Sequence, residues 1–146
     1  MSFQLDLTLF TNKSVGRARL LKQKLVLEID KGLVLSTPVD TGRARSGWNV
    51  SINRVDLQEY QDWVSSTGEK SGVPGATGQS VLSRHEETIR KIEPEHTVFL
   101  SNNVPYIEFL DEGSSRQAPQ GMVDKTLQRF SHLIQKANQD SKREIP

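Results

Sequence analysis

The sequence predicts an α+β fold in which a small, mostly antiparallel sheet packs against a long N-terminal helix and a C-terminal helix, with a long Gly-rich loop. Three observations carry this. Apolar residues alternate with polar ones at period two in Phe3–Leu9 and again in Ser46–Asn53, the pattern of half-buried strands. Apolar residues recur at steps of three and four from Ala18 to Leu33 and from Val123 to Ala137, the stripes of amphipathic helices. The strand segments lie far apart, so the sheet is assembled from separated parts of the chain.

The first strand rests on Phe3, Leu5, Leu7 and Leu9, with Gln4, Asp6 and Thr8 between them; Phe10 breaks the alternation. From about Ser14 the period changes, and Ala18, Leu21, Leu25, Ile29 and Leu33 define a long helix whose wetter side holds Lys22, Lys24, Glu28 and Lys31. It stops near Ser36, because Pro38 disfavours helical geometry at Thr37 and lacks an N–H. Asp40, Thr41 and Gly42 supply turn chemistry. The second strand spans Ser46–Asn53, with Trp48, Val50 and Ile52 facing the core. After Tyr60 and Trp63, the stretch Ser65–Ser80 holds Gly68, Gly72, Pro74, Gly75 and Gly78, and reads as a flexible loop able to reach a neighbouring subunit.

Leu82, His85, Ile89 and Ile92 then repeat at helical spacing, with Ser83 and Glu86 placed as a capping box and Pro94 as the stop. Thr97 to Leu100 is β-branched and aromatic, hence another core strand, closed by Asn102, Asn103 and Pro105. The last helix runs from Met122 to about Asn138, with Val123, Leu127, Phe130, Ile134 and Ala137 on one stripe; residues 140–146 form a frayed tail.

The chain has 146 residues, one domain's worth, and a domain of that size buries about 70% of its unfolded surface without needing a staple. The absence of cysteine excludes thiol catalysis, zinc ribbons and a disulfide framework. No apolar run approaches the roughly 18 residues of a membrane span, and Met1 to Val15 lacks a signal-peptide pattern, so a soluble chain is expected. The net charge of +1 is too small to predict nucleic-acid binding by itself. Its distribution is uneven: residues 1–54 carry nine Lys/Arg and four Asp/Glu, 55–112 four and eleven, and 113–146 six and three. Such polarity suits opposite-sign faces meeting between copies in a head-to-tail ring, and equally suits pairing inside one monomer.

Catalytic motifs do not emerge. Gly68-Glu69-Lys70-Ser71 lacks the Gly directly before Lys that a phosphate loop requires. His85, His96 and His132 are dispersed, and His85 falls on an apolar stripe, where a hydrogen-bonded core histidine is the simpler reading. No Gly-x-Ser-x-Gly elbow positions a nucleophile. Asp111-Glu112 is a carboxylate pair, yet paired acid-base carboxylates come from separate elements facing across a cleft; here the acids meet Arg or Lys or solvate a helix end. Arg43, Arg45 and Arg54 near Trp48 can contact phosphates without reading bases, while Trp48 itself is in phase with the core.

Two segments together resemble a known group: Thr37-Pro38-Val39-Asp40-Thr41-Gly42-Arg43-Ala44-Arg45-Ser46-Gly47-Trp48, and Asn102-Asn103-Val104-Pro105-Tyr106 continuing to Gly113-Ser114-Ser115-Arg116-Gln117-Ala118-Pro119-Gln120-Gly121-Met122. They look like the signatures of the tail-completion or head-tail joining proteins of long-tailed bacteriophages, the group that includes the minor tail protein Z type. The order of long helix, first motif, strand, glycine loop, strand, second motif and final helix agrees over most of the chain. One departure is Asp111, where the group often has Glu; the charge is kept and the reach shortened.

The resemblance implies a virion protein of the neck, made in the host cytoplasm and forming a sixfold or twelvefold homo-oligomeric ring. That ring completes the tail and joins it to the head. Its neighbours would be the head connector or stopper and the tail terminator or tail tube proteins, with DNA passing through and no membrane involved. Interface roles fall to Asp40, Arg43, Arg45, Tyr106, Asp111, Arg116 and Gln117, and shape-setting roles to Pro38, Gly42, Trp48, Pro105, Gly113, Pro119 and Gly121. Arg43, Arg45 and Lys70 are the candidates for contact with DNA in the lumen, non-specific and salt-sensitive. No enzyme activity, cofactor or metal is expected. The alternatives are a tail terminator capping the tube and, from other classes, a small non-specific nucleic-acid-binding accessory protein or a hydrolase with a non-obvious site.

Overall fold

A computed structural model describes residues 2–5, 15–39, 42–60, 78–113 and 121–144. In chain order the elements are β1 (Ser2–Leu5), α1 (Val15–Ser36), α2 (Arg43–Ser46), β2 (Trp48–Ile52), α3 (Gln79–Arg90), β3 (Val98–Asn102), α4 (Ile107–Asp111), α5 (Val123–Gln128) and α6 (Phe130–Glu144). The fold is α+β, as the sequence predicts, with helices packed on a small antiparallel sheet.

The sheet has the order β1-β3-β2, so the last strand in sequence is the central one. Its register aligns Trp48 with Asn102 and Ile52 with Val98 on one side, and Ser2 with Ser101 and Leu5 with Val98 on the other. Only the backbone of Ser2–Leu5 is described of the first expected strand; Asp6 to Leu9 lie outside the described residues. β2 is shorter than Ser46–Asn53, because Arg43 to Ser46 make a helical turn entered through Gly42 at φ 93°. At its other end Asn53 stands at φ 62°; its N–H donates to Thr97 O at 2.7 Å, and its Oδ1 accepts from Thr97 N at 2.9 Å. That closes the β2–β3 pair. β3 in turn runs two residues beyond Leu100, to Asn102.

α1 is the organising helix, with α6 against it on one side and α3 on another. Its C-terminal carbonyls are satisfied locally: Ser36 Oγ donates to Gly32 O at 2.5 Å and Thr37 Oγ1 to Leu33 O at 2.6 Å, after which Pro38 prevents continuation. The buried face takes Ala18, Lys22, Leu25, Val26, Ile29, Asp30, Leu33 and Val34. It is wider than a single stripe because two partners cover it. Lys22 therefore does not lie on the wet side: it is 1% exposed, and its ammonium donates to the carbonyls of Pro94, at 2.9 Å, and His96. Those carbonyls belong to the turn between α3 and β3, which one lysine thus fastens to α1.

α3 begins at Gln79, inside the expected loop, because Gly78 at φ 78° supports the first turn, with Leu82 N donating to Gly78 O at 3.0 Å. Ser83 and Glu86 consequently sit in mid-helix and form no capping box. The rest of the expected 65–80 loop, up to Thr77, lies outside the described residues.

The C-terminal segment also differs from a single helix over Met122–Asn138. It breaks at Arg129 into α5 and α6. The buried residues are Thr126, Leu133, Ala137 and Ser141, while Leu127 is 43% exposed. Thr126 packs on Gly32 of α1, where an added Cβ would stand 3.0 Å from its side chain. Ala137 and Ser141 are small, which lets α6 lie close along α1. The helix continues through Glu144, whose carboxylate meets Lys24 at 2.6 Å, so residues 140–144 are not frayed. Between these layers Leu25, Ile29, Leu33, Trp48, Leu100, Ile107 and Met122 are fully enclosed, each contributing about 1.5–3 kcal/mol.

Candidate docking surface

The two segments that carry the sequence resemblance fold onto each other. Gly42 opens α2, and the chain leaves it at Gly47, where a side chain would collide with Val104 Cγ2 at 2.5 Å and Asn102 Oδ1 at 2.6 Å. Asn102 is buried; its Nδ2 donates to Ala44 O at 2.8 Å and its Oδ1 accepts from Val104 N at 3.1 Å. One asparagine thus joins α2 to the turn after β3. Trp48 is buried beneath this corner, with Nε1 donating to Thr37 Oγ1 at 2.8 Å, and Pro38 beside Thr37 is buried too.

Arg43 and Arg45 leave α2 in different directions. The Arg43 guanidinium forms a two-pronged pair with Glu59, Nη2 to Oε2 at 3.0 Å, and lies 5.7 Å from the Tyr106 ring centre. The pair raises the affinity of Arg43 for its proton and holds the Glu59 carboxyl below the usual carboxylate range. Arg45 folds back and donates to Leu35 O and Thr37 O, both at 3.2 Å, closing the end of α1; burial pushes its guanidinium below its ordinary value. Both arginines help to hold the monomer together.

Beyond the corner, Pro105 and Tyr106 lead into α4. Tyr106 is 38% exposed, and Phe109 on the next turn is 66% exposed. Asp111 at the end of α4 accepts from Met122 N at 2.9 Å and Val123 N at 3.0 Å, and so caps the start of α5. Its carboxylate solvates a helix end, one of the two roles its sequence context allows. Gly113, at φ 89°, turns the chain out of α4. Gly121, at φ 75°, brings it back so closely that an added Cβ would stand 2.0 Å from Asp111 O. Asp40, Lys70, Arg116, Gln117 and Pro119 lie outside the described residues.

Sequence reasoning missed several partners. Glu59 holds Arg43, and Arg84 stacks on Tyr60 at 4.1 Å while donating to Asn49 Oδ1 at 2.9 Å and Ser46 O at 2.7 Å. Asn49 donates to Gln58 O at 2.7 Å, so the segment after β2 is strapped across the sheet. Nothing in the spacing of these residues signals that arrangement, because each contact is made across distant elements.

His85 is the buried histidine its stripe implied. Nε2 faces the Trp48 carbonyl at 2.8 Å, which can only accept, so that nitrogen carries hydrogen. Nδ1 meets Asp30 Oδ2 at 2.7 Å, with one further proton held between ring and carboxyl. The pair ties α1, α3 and β2 together in the interior, out of reach of a substrate.

Among the described residues no three His, Asp or Glu side chains gather as metal ligands, and no helix is long and apolar enough to cross a membrane. An open groove of about 370 Å³ lies between α1 and the α5–α6 break, and a shallower one of about 580 Å³ lies along Ser51, Arg54, Asp56 and Gln58. Comparison with protein families, curated proteins and solved structures finds no match.

Proposed function

We propose that this chain is a structural protein of the neck of a long-tailed bacteriophage, a ring subunit that completes the tail and joins it to the head while DNA passes through. The observation that supports this reading is the corner just described. Two segments resembling one group of neck proteins, far apart in sequence, meet through Gly47, Asn102 and Ala44, and their continuation presents Pro105, Tyr106 and Phe109 to solvent. Residues spent on tight turns and close backbone approach, followed by exposed aromatic side chains, are what a docking surface needs.

In this reading the monomer is a stiff unit. The α1–α6 pair and the sheet form its body, while α2 and α4 form a rim fixed to that body by Trp48, Asn102 and Asp111. A joint between head and tail requires such rigidity, since the contacts on either side have to keep their geometry as DNA moves. It also requires weak contact with that DNA. Arg43 and Arg45 are engaged by Glu59 and by backbone carbonyls, which limits what they add to phosphate binding.

Deleting the coding sequence from the phage genome tests the reading. Filled heads and separate tails are the expected products, with joining restored by added protein. A normal yield of infectious particles would overturn it.

A further inference from the structure

Two surface features match each other in charge and spacing. The first is α4, where Glu108 and Glu112 are exposed one helical turn apart, with the 66%-exposed Phe109 beside them. Like charges at that spacing repel, and neither glutamate forms an ion pair among the described residues. The second is the groove between α1 and the α5–α6 break. Its lining includes Leu35, at 52% exposure, and the cations Lys31, Lys125 and Arg129; Glu28 also lines it, but is taken up by Lys31 and Lys136 at 3.8 and 3.0 Å. Lys125 and Arg129 are again four residues apart, and neither has a carboxylate partner among the described residues.

From this complementarity we infer that the groove receives α4 of a second copy of the chain. Phe109 enters against Leu35, and the Glu108 and Glu112 carboxylates meet Lys125 and Arg129. Both charged pairs span one turn, about 5–6 Å, so a single docking pose satisfies both. A volume of about 370 Å³ accommodates a phenyl group with its flanking stems. Within one chain Asp111 anchors the end of α4 to the N-terminus of α5, and in that arrangement neither Glu108 nor Glu112 pairs with Lys125 or Arg129.

The contact is heterologous. Each copy offers its knob to the next and its groove to the one before, a pattern that closes into a ring when the rotation permits. The inference rests on the ring reading and supplies its partner surface.

Charge reversal tests it. Sedimentation of the wild type at low salt is expected to show association that rises with concentration and falls with added salt. The variants Glu108→Lys/Glu112→Lys and Lys125→Glu/Arg129→Glu should each weaken that association at least roughly tenfold. An equimolar mixture of the two recovers it, because the intact knob of one meets the intact groove of the other and the reversed pair also matches. Since the chain contains no cysteine, Phe109→Cys mixed with Leu35→Cys gives a second readout, in which cross-linked heterodimers should form faster than either homodimer. Failure of the mixture to recover, equal cross-linking rates, or a wild type that stays monomeric at every concentration overturns the contact. Rings that persist in both reversed variants also overturn it, while leaving the neck reading to the deletion experiment.

Discussion

The buried pair of His85 and Asp30 shows how much a single side chain can matter to this fold. Removing the imidazole by His85→Leu strands a carboxylate in the core, where Oδ1 of Asp30 already has no partner, and should cost about 3–5 kcal/mol in urea unfolding. Asp30→Leu is expected to cost less, because a neutral imidazole can keep its bond to Trp48 O. The double variant should be more stable than His85→Leu alone. Additive losses, or a His85→Leu protein within about 1 kcal/mol of wild type, would show that the pair is not the tie it appears in the geometry. His85 was legible because it stands on a stripe of apolar residues. Lys22 was not, since its charge suggested water; yet Ala18, Lys22, Val26 and Asp30 form an i, i+4 row on the buried face, which is the signal that could have placed it. Phe109 and the groove cations carry no comparable signal, because exposure and mutual placement are properties of the folded surface.

At the scale of elements, periodicity located the helices and strands well and their ends poorly. α1 agrees within a residue at each end, since helix, cap and Pro38 all act locally. The C-terminal helix misled at Leu127, which is exposed, while Val123, Phe130 and Ile134 of the same stripe do pack against the core; Thr126 turns inward onto Gly32 instead, and the helix breaks at Arg129. The end of that segment gives a clear test. Ser141 is fully buried, its hydroxyl donates to Asn138 O at 2.9 Å, and Glu144 pairs with Lys24. Deleting residues 140–146 should therefore lower stability by about 1 kcal/mol or more, read as a shift in the thermal midpoint, whereas a frayed tail could be removed at no cost.

For the whole molecule, the order β1-β3-β2 was out of reach of the sequence, because strand pairing is decided by which faces remain to be covered after α1 and α3 have packed. Charge was partly legible. The basic first and third blocks come together as α1 and α6, where Lys24, Lys31 and Lys136 meet Glu28 and Glu144 and cancel in part. Among the described residues, Lys125 and Arg129 on the groove rim, and Arg54 and Lys142 elsewhere, are exposed with no carboxylate partner. Duplex DNA that meets the monomer at the groove rim engages two or three charges there. Binding is then expected to show no sequence preference and to fall roughly ten- to fiftyfold between about 50 and 200 mM salt. If α4 of a neighbour occupies the same rim, the assembled form should bind DNA more weakly than a monomeric Phe109→Ala variant, whose charge equals that of the wild type. Filter binding of both forms across that salt range checks the order. A sequence preference at physiological salt, or tighter binding by the assembly, would mean that a different surface meets the DNA and that the rim is free in the ring.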